Sequence, residues 1–170
     1  MNAEALIRSL EAHAEPVVAS FSALEPANRG RRPAPQRWSP LEILAHLLDE
    51  ERLDFRVRLE STLADPARAW ETIDPEGWVE AHAYSGMDFD ATLAEWREER
   101  TESVRRLRAI AEPDWSNTYE HPELGSLRAG DLLTAWAAHD LQHLRQLMNT
   151  ELALLRADAA PYVSDYSGPD

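Results

Sequence analysis

Apolar residues recur at helical spacing in four long segments of the chain, and stretches rich in proline, glycine and charge separate these segments. Because each segment carries its apolar residues on one side, the four are predicted to pack as an all-α four-helix bundle. The predicted helices span residues 3–24, 40–63 and 90–111, and a last one starts near Ser126 or Gly130 and ends near Arg156. Residues 1–158 are predicted to form a single domain, followed by an irregular tail over 159–170.

The connections between the helices are predicted to be irregular. They comprise residues 25–37, residues 65–88 with one helical turn near Trp78, and residues 112–126 with extended backbone at 117–120. Pro16 is expected to kink or divide the first helix, because proline lacks the amide hydrogen that an inner helical turn needs. Asp88 or Asp90 is expected to cap the third helix.

The second helix has the clearest start signal in the sequence. Ser39 can cap the helix, Pro40 suits its first position, and Glu42 completes a capping box. An apolar stripe and the residues that widen it form its predicted core face: Leu44, Leu48, Phe55, Leu59 and Leu63, widened by Ile43, Leu47, Leu53 and Val57. His46 lies within the widened face, so this helix is predicted to point a histidine into the bundle.

The last helix carries a pair of histidines, His139 and His143, on one face, since residues four apart lie one helical turn apart. Their stripe continues through Leu132, Trp136, Leu147 and Leu154, so it should also face inward. Buried imidazoles are costly unless something satisfies them. Either they are satisfied within the core, or with His46 they bind a divalent ion such as Zn²⁺ or Ni²⁺ and leave one coordination position open.

Several rival metal chemistries are excluded by residue content. The chain has no cysteine, which rules out thiolate ligands, disulfides and a cysteine nucleophile. The H-E-x-x-H motif of zinc proteases is absent, because Asp140, Leu141 and Gln142 occupy the gap between the two histidines. The repeated E-x-x-H of di-iron bundles is absent as well. A metal site in this chain must therefore use histidines and carboxylates.

The strongly negative charge of the chain indicates which kinds of binding partner are unfavourable. The formal net charge is −14, with 31 acidic residues against 17 basic ones, all of them arginine. Such a surface argues against nucleic acid and against an anionic membrane as partners, and the absence of lysine rules out Schiff-base chemistry. The first residues lack the apolar core of a signal peptide, and no run of about 18 apolar residues occurs, so a cytoplasmic location is expected.

A few polar residues near the predicted histidine cluster are weaker candidates for function. Around the helix axis, Glu50 and Asp49 lie on either side of His46. Each is a candidate proton acceptor or a solvated carboxylate. Glu51 points away from His46, which favours a structural role. Gln146 could hydrogen-bond to a ligand histidine. The remaining histidines are read as packing or exposed residues, and the tryptophans as core or cavity-rim residues: His13, His82 and His121, and Trp38, Trp78, Trp96, Trp115 and Trp136.

Two motifs carry a resemblance to a known family. The stretch W-S-P-L-E-I-L-A-H-L-L-D-E-E-R, followed much later by G-S-L-R-A-G-D-L-L-T-A-W-A-A-H-D-L-Q-H-L-R-Q-L, resembles the DinB-like superfamily, in particular its YfiT-like branch of metal-dependent hydrolases. The segments D-P-E-G-W-V and E-W-R-E-E-R-T-E-S-V-R-R-L fit the same pattern, so the resemblance covers about residues 35–150. It implies a four-helix bundle, often dimeric, in which His46, His139 and His143 hold a divalent metal, often nickel or zinc.

The resemblance favours an enzyme. Family activities include hydrolysis, and transfer or isomerisation with low-molecular-weight thiols such as mycothiol or bacillithiol. The first hypothesis is therefore a metal-dependent hydrolase or a thiol-dependent transferase that acts on a small molecule, with Glu50 or Asp49 as the base. The alternative is a non-enzymatic, stress-associated protein that binds a metal or a small ligand. A third reading is a structural bundle with vestigial histidines, which added metal would not stabilise.

Overall fold

Four long helices make up most of the fold in a computed structural model that describes residues 1–168, so the predicted all-α four-helix bundle is confirmed. The long helices are α1 (Ala3–Ser22), α2 (Pro40–Asp49) with its continuation α3 (Arg56–Ala64), α5 (Phe89–Ala109) and α6 (Ala129–Ala159). The short elements are α4 (Trp78–Ala81), β1 (Thr118–His121) and β2 (Gly125–Arg128). Among the described residues, no helix is both long and apolar enough to cross a membrane.

Side-chain caps fix where the helices begin. The Asn2 and Asp88 side chains accept hydrogen bonds from the amides of Ala5 and Ala91, at the starts of α1 and α5. At the start of α2, Ser39 Oγ accepts a bond from the Glu42 amide, and Glu42 Oε2 accepts one from the Ser39 amide at 2.8 Å, which is the predicted capping box. Arg32 also binds the Glu42 carboxylate, so the cap is tied to the preceding loop.

Ser39→Ala is expected to lower the free energy of unfolding by about 1 kcal/mol, because the Glu42 amide loses its partner in a buried position. Urea denaturation of the two proteins measures this difference. Ser22→Ala is the matched control, since Ser22 is exposed at the C-terminal end of α1. Equal loss in both variants would contradict a capping role for Ser39.

A π-helical turn over Glu50–Phe55 joins α2 to α3. Such a turn inserts one extra residue into the helix and so rotates everything that follows it. The core face predicted from an uninterrupted helix is therefore wrong at two positions. Leu53 and Val57 are 39% and 51% exposed, whereas Leu59 is fully buried.

The connection before α6 contains a β-hairpin that extends further than the predicted excursion at 117–120. β1 and β2 pair antiparallel, with Thr118 opposite Arg128 and His121 opposite Gly125. Gly125 has a φ of +75°, a conformation that glycine adopts without strain. Because β2 uses the residues around Ser126, α6 starts at Ala129, at the later of the two predicted sites. Pro16 lies within α1 and does not divide it.

The core has two apolar clusters along the bundle. One contains Leu44, Leu48 and Leu147, and the other contains Leu59 and Trp136. His139 and His143 lie on α6 between Trp136 and Leu147, and His46 lies on α2 among the leucines. The three histidines therefore occupy the junction of the two clusters, where packed apolar side chains hold both helices in place.

Candidate metal centre

Three imidazoles from two helices converge inside the bundle. One nitrogen from each of His46, His139 and His143 lies within 4.8 Å of the others. Nε2 of His139 and Nε2 of His143 are 3.0 Å apart, and the His46 ring centroid is 5.4 Å and 4.7 Å from those of His139 and His143. The structure therefore brings together the three histidines that the sequence places on inward-facing sides of two helices.

Burial keeps these imidazoles neutral. It lowers the pKa of His46 and of His139 to about 3, and the neighbouring His143 adds to both shifts. The pKa of His143 is also lowered by burial, while the Gln146 side chain acts in the opposite direction. A neutral imidazole offers a free lone pair, which is the form that binds a metal ion.

The donor set fits a divalent metal ion. Nδ1 of His46 and Nδ1 of His143 are buried without a hydrogen-bond partner among the described residues, and orphaned buried nitrogens of this kind are rare in satisfied cores. Two nitrogens bound to one zinc ion at about 2.1 Å each lie at most about 4.2 Å apart. Small side-chain rotations would bring the three rings to that spacing.

Aromatic side chains shield the cluster from water. The Trp38 ring lies 4.9 Å from that of His46, and the Phe55 ring lies 5.0 Å from that of His139 in an edge-on arrangement. Phe55 also stacks on Trp136 with their planes 7° apart. Phe55 belongs to the π-helical turn, so this irregularity helps to build one wall of the site.

The two carboxylates suggested as bases have different surroundings. Glu50 is buried, its Oε1 lies 3.9 Å from Nδ1 of His46, and burial together with the Asp54 carboxylate raises its pKa to about 8. Asp49 is already engaged: its Oδ2 accepts hydrogen bonds from Nδ1 of His82 at 2.6 Å and from the Tyr84 hydroxyl at 2.8 Å. Asp49 is therefore held by these two hydrogen bonds, whereas Glu50 lies beside His46 of the histidine cluster.

Behind the histidines lies a buried ionic network centred on Arg100. Its guanidinium donates to Glu51 at 2.8 and 3.0 Å and to Asp140 at 2.6 and 2.7 Å, and it also reaches the carbonyl of Leu10. Trp136 Nε1 donates to Glu51 at 3.0 Å. The network joins four helices, and this placement agrees with the structural role predicted for Glu51.

The charges in this network stabilise one another. Burial alone would lower the pKa of Arg100, but Glu51 and Asp140 outweigh it and hold that pKa above its ordinary value. Burial alone would raise the pKa of Asp140, but Arg100 and His13 hold it below its ordinary value. Arg100 and Asp140 therefore stay ionised at neutral pH inside the bundle, and Asp140 directly follows His139 in sequence.

Each of the three histidines that are predicted to be packing or exposed residues has specific hydrogen-bond partners. His82 binds Asp49 although its side chain remains 39% exposed, and Nδ1 of His13 lies 3.2 Å from Oδ2 of Asp140. Nδ1 of His121 accepts hydrogen bonds from the backbone amides of Glu123 and Leu124 in the hairpin turn. No local signal could have found the first two contacts, because their partners lie 33 and 127 residues away.

A cavity of about 580 Å³ opens next to the cluster. His143 and Trp38 line it, together with Gln146, whose proposed contact with a ligand histidine this position allows. A second cavity of about 610 Å³ lies beside α3 and is lined by Leu53, Val57 and Trp70 but by none of the three clustered histidines. The first cavity is therefore the route by which a small molecule can approach the cluster.

Fold and site together define a four-helix bundle with an inward-facing three-histidine centre. A family model described as the DinB superfamily matches residues 9–147, so the chain belongs to that superfamily. The expected resemblance is thereby confirmed.

Three known proteins are similar to this chain in sequence or in fold. A protein of Oceanobacillus iheyensis, named as a candidate metal-dependent hydrolase, is 25% identical over 65% of this chain, and the chain spans only 63% of that protein's length. YfiT from Bacillus subtilis, described as a probable metal-dependent hydrolase with an unusual four-helix bundle topology, matches 89% of this chain and 87% of its own with a TM-score of 0.78 and 16% identity. The four-helix bundle protein TT2238 has a TM-score of 0.58 and 21% identity, over 87% of this chain and 99% of its own. At these identities, the two structures establish the shared fold alone.

Proposed function

We propose that this protein is a metal-dependent hydrolase, or a transferase that uses a low-molecular-weight thiol, with His46, His139 and His143 as ligands of Zn²⁺ or Ni²⁺. The observation that carries the proposal is the convergence of three neutral imidazoles, one buried and two partly buried, beside an open cavity, with orphaned ring nitrogens on His46 and His143. The hydrolase names of two relatives support the reaction class. The homodimer, the cytoplasmic location and the domain boundary near residue 158 stay predictions.

The metal ion and the surrounding side chains have different roles in the proposed reaction. When bound, a divalent ion supplies Lewis-acid chemistry, which polarises a carbonyl or lowers the pKa of water or a thiol. The protein has no cysteine, so any thiol nucleophile comes from an external thiol, and water is the nucleophile of the hydrolase alternative. Trp38 and Phe55 exclude bulk water from two sides of the cluster, which strengthens every polar interaction within it.

We assign the role of proton acceptor to Glu50, which is ionised and can accept a proton only at a pH above its raised pKa of about 8. It lies beside His46, at 3.9 Å between Oε1 and Nδ1, and it is buried on the same helix one turn further along. A general base must reach the proton that it removes directly or through one water molecule, and this position meets that requirement. Asp49 remains a second candidate, but its hydrogen bonds to His82 and Tyr84 favour a role in holding the connection over residues 65–88 against α2.

The activity test uses protein loaded with Zn²⁺ or Ni²⁺ on panels of esters, amides and thiol-transfer substrates with mycothiol or bacillithiol. Turnover that depends on the added metal is the expected result. Protein that holds stoichiometric metal yet is inactive on all panels, while a DinB-superfamily control enzyme is active, would favour the non-enzymatic metal- or ligand-binding alternative.

At a pH above the Glu50 pKa of about 8, Glu50→Gln is expected to lower the turnover found in that test by about 10²–10⁴-fold while metal content stays unchanged, because the amide cannot accept the proton. Asp49→Asn is the matched comparison on the adjacent residue, and it should lower thermal stability more than turnover. Steady-state rates and metal analysis of both variants decide the assignment. If Asp49→Asn abolishes turnover and Glu50→Gln does not, the two roles are reversed.

A further inference from the structure

Most arginines of this chain are paired with carboxylates. Among the residues that the structure describes, the guanidiniums of only three arginines have no hydrogen bond or ion pair, namely Arg37, Arg68 and Arg145. In a protein with 31 acidic residues, such unpaired guanidiniums are exceptions. Two of the three, Arg37 and Arg145, line the same cavity, and His143 lines it with them.

Among the described residues 1–168, none that lines this cavity is acidic. Besides the two arginines and His143, its polar side chains are neutral: Gln142, Gln146, Asn149 and Thr150. Four of these residues follow a single face of α6, at positions 142, 146, 149 and 150, and the loop that carries Arg37 and Trp38 faces them. The second cavity differs, because Glu60 and Glu71 line it together with Arg58 and Arg68. The cavity beside the histidines is therefore locally positive and rich in donors on an acidic protein.

We propose that this cavity binds a small anionic molecule, which Arg37 and Arg145 recognise through a carboxylate or phosphate group. The inference rests on the proposed function, for which it names the substrate class. Guanidiniums bind both groups with paired, charge-assisted hydrogen bonds, and the neutral amides of α6 offer further donors. Since His143 lines the same cavity, a molecule anchored at the arginines occupies the cavity that borders the histidine cluster.

Size and charge restrict the ligand to a small molecule. A cavity of about 580 Å³ is in the range of small-molecule sites. A polyanion such as nucleic acid would meet the acidic remainder of the surface, which carries the net charge of −14. The Trp38 ring forms part of the wall and can pack against an apolar portion of the ligand.

Calorimetric titration of metal-free protein tests the inference, with succinate, inorganic phosphate and the neutral analogue succinamide as probes. The metal-free form ensures that the anion does not simply bind a metal ion. Succinate or phosphate is expected to bind and succinamide is not. Arg37→Gln/Arg145→Gln should weaken anion binding by about tenfold or more, because charge-assisted hydrogen bonds are lost. Arg68→Gln is the matched control, since Arg68 is also unpaired but lines the other cavity.

The outcomes separate this inference from the proposed function. Binding of succinate alone or phosphate alone upholds the inference and assigns the anionic group. The inference is overturned if neither anion binds better than succinamide, or if Arg68→Gln weakens binding as much as the double variant does. None of these results depends on metal uptake or turnover. A protein that binds the anion but takes up no metal would refute the proposed function and leave the anion site intact.

Discussion

His143→Ala is expected to abolish stoichiometric binding of Zn²⁺ or Ni²⁺ and the thermal stabilisation that the metal gives to the wild-type protein. The variant retains His46 and His139, and two imidazoles cannot complete the three-ligand set. An ion present at 1,000 times its dissociation constant stabilises the folded state by about 4 kcal/mol, which for a chain of this size raises the melting temperature by roughly 10 °C. Elemental analysis of tag-free protein and melting curves with and without metal measure both effects.

The control for this experiment is His121→Ala. His121 lies in the β-hairpin and takes no part in the three-histidine cluster, so this variant should keep both the metal and the metal-induced stabilisation. Wild-type protein that takes up no stoichiometric metal even after reloading would refute the metal centre. A His143→Ala protein with full metal content would remove His143 from the ligand set.

Arg100→Met is expected to lower the free energy of unfolding of the bundle by about 3–5 kcal/mol. Arg100 is 2% exposed and neutralises two carboxylates, on Glu51 and Asp140, that are themselves almost fully buried. Removing the guanidinium leaves two uncompensated charges in the interior, which costs far more than the ion pairs themselves contribute. The midpoint of urea denaturation, together with its slope, gives the loss of stability.

Two further variants separate charge from packing. Arg105→Met removes an arginine from the same helix whose side chain is 66% exposed and paired with Glu102, and it should change stability little. Adding Glu51→Gln to Arg100→Met should restore part of the loss, because one of the two orphaned charges disappears. If the double variant is no more stable than Arg100→Met, the destabilisation comes from lost packing rather than from buried charge.

The network also links stability to the candidate site. Asp140 follows His139 on α6, and Glu51 follows Glu50 in the π-helical turn, so Arg100 holds the backbone on both sides of the histidine cluster. Metal sites depend on groups behind the ligands to keep those ligands oriented. Metal affinity of Arg100→Met, measured below its unfolding transition, should therefore fall as well.

Local patterns in the chain were sufficient for the helices and for the three histidines. A capping box depends on residues three apart, and a helical face depends on residues three and four apart, so Ser39, Glu42 and the pair His139/His143 were recognisable in the sequence. His46 joined them because its apolar neighbours define an inward face before the π-helical turn begins. After that turn the same reasoning failed at Leu53 and Val57, since the inserted residue changes the phase of the helix without a clear sequence signal.

Only the tertiary structure decided which distant charges meet and which stay unpaired. The contacts of Arg100 with Glu51 and Asp140 span 49 and 40 residues, and that of His82 with Asp49 spans 33. Any of the 17 arginines had many possible partners among the 31 acidic residues, so composition could not predict that Arg37 and Arg145 have no partner among residues 1–168 and share a cavity with His143. Helix formation depends on neighbours along the chain, whereas ion pairing and cavity lining depend on how the helices are placed against each other.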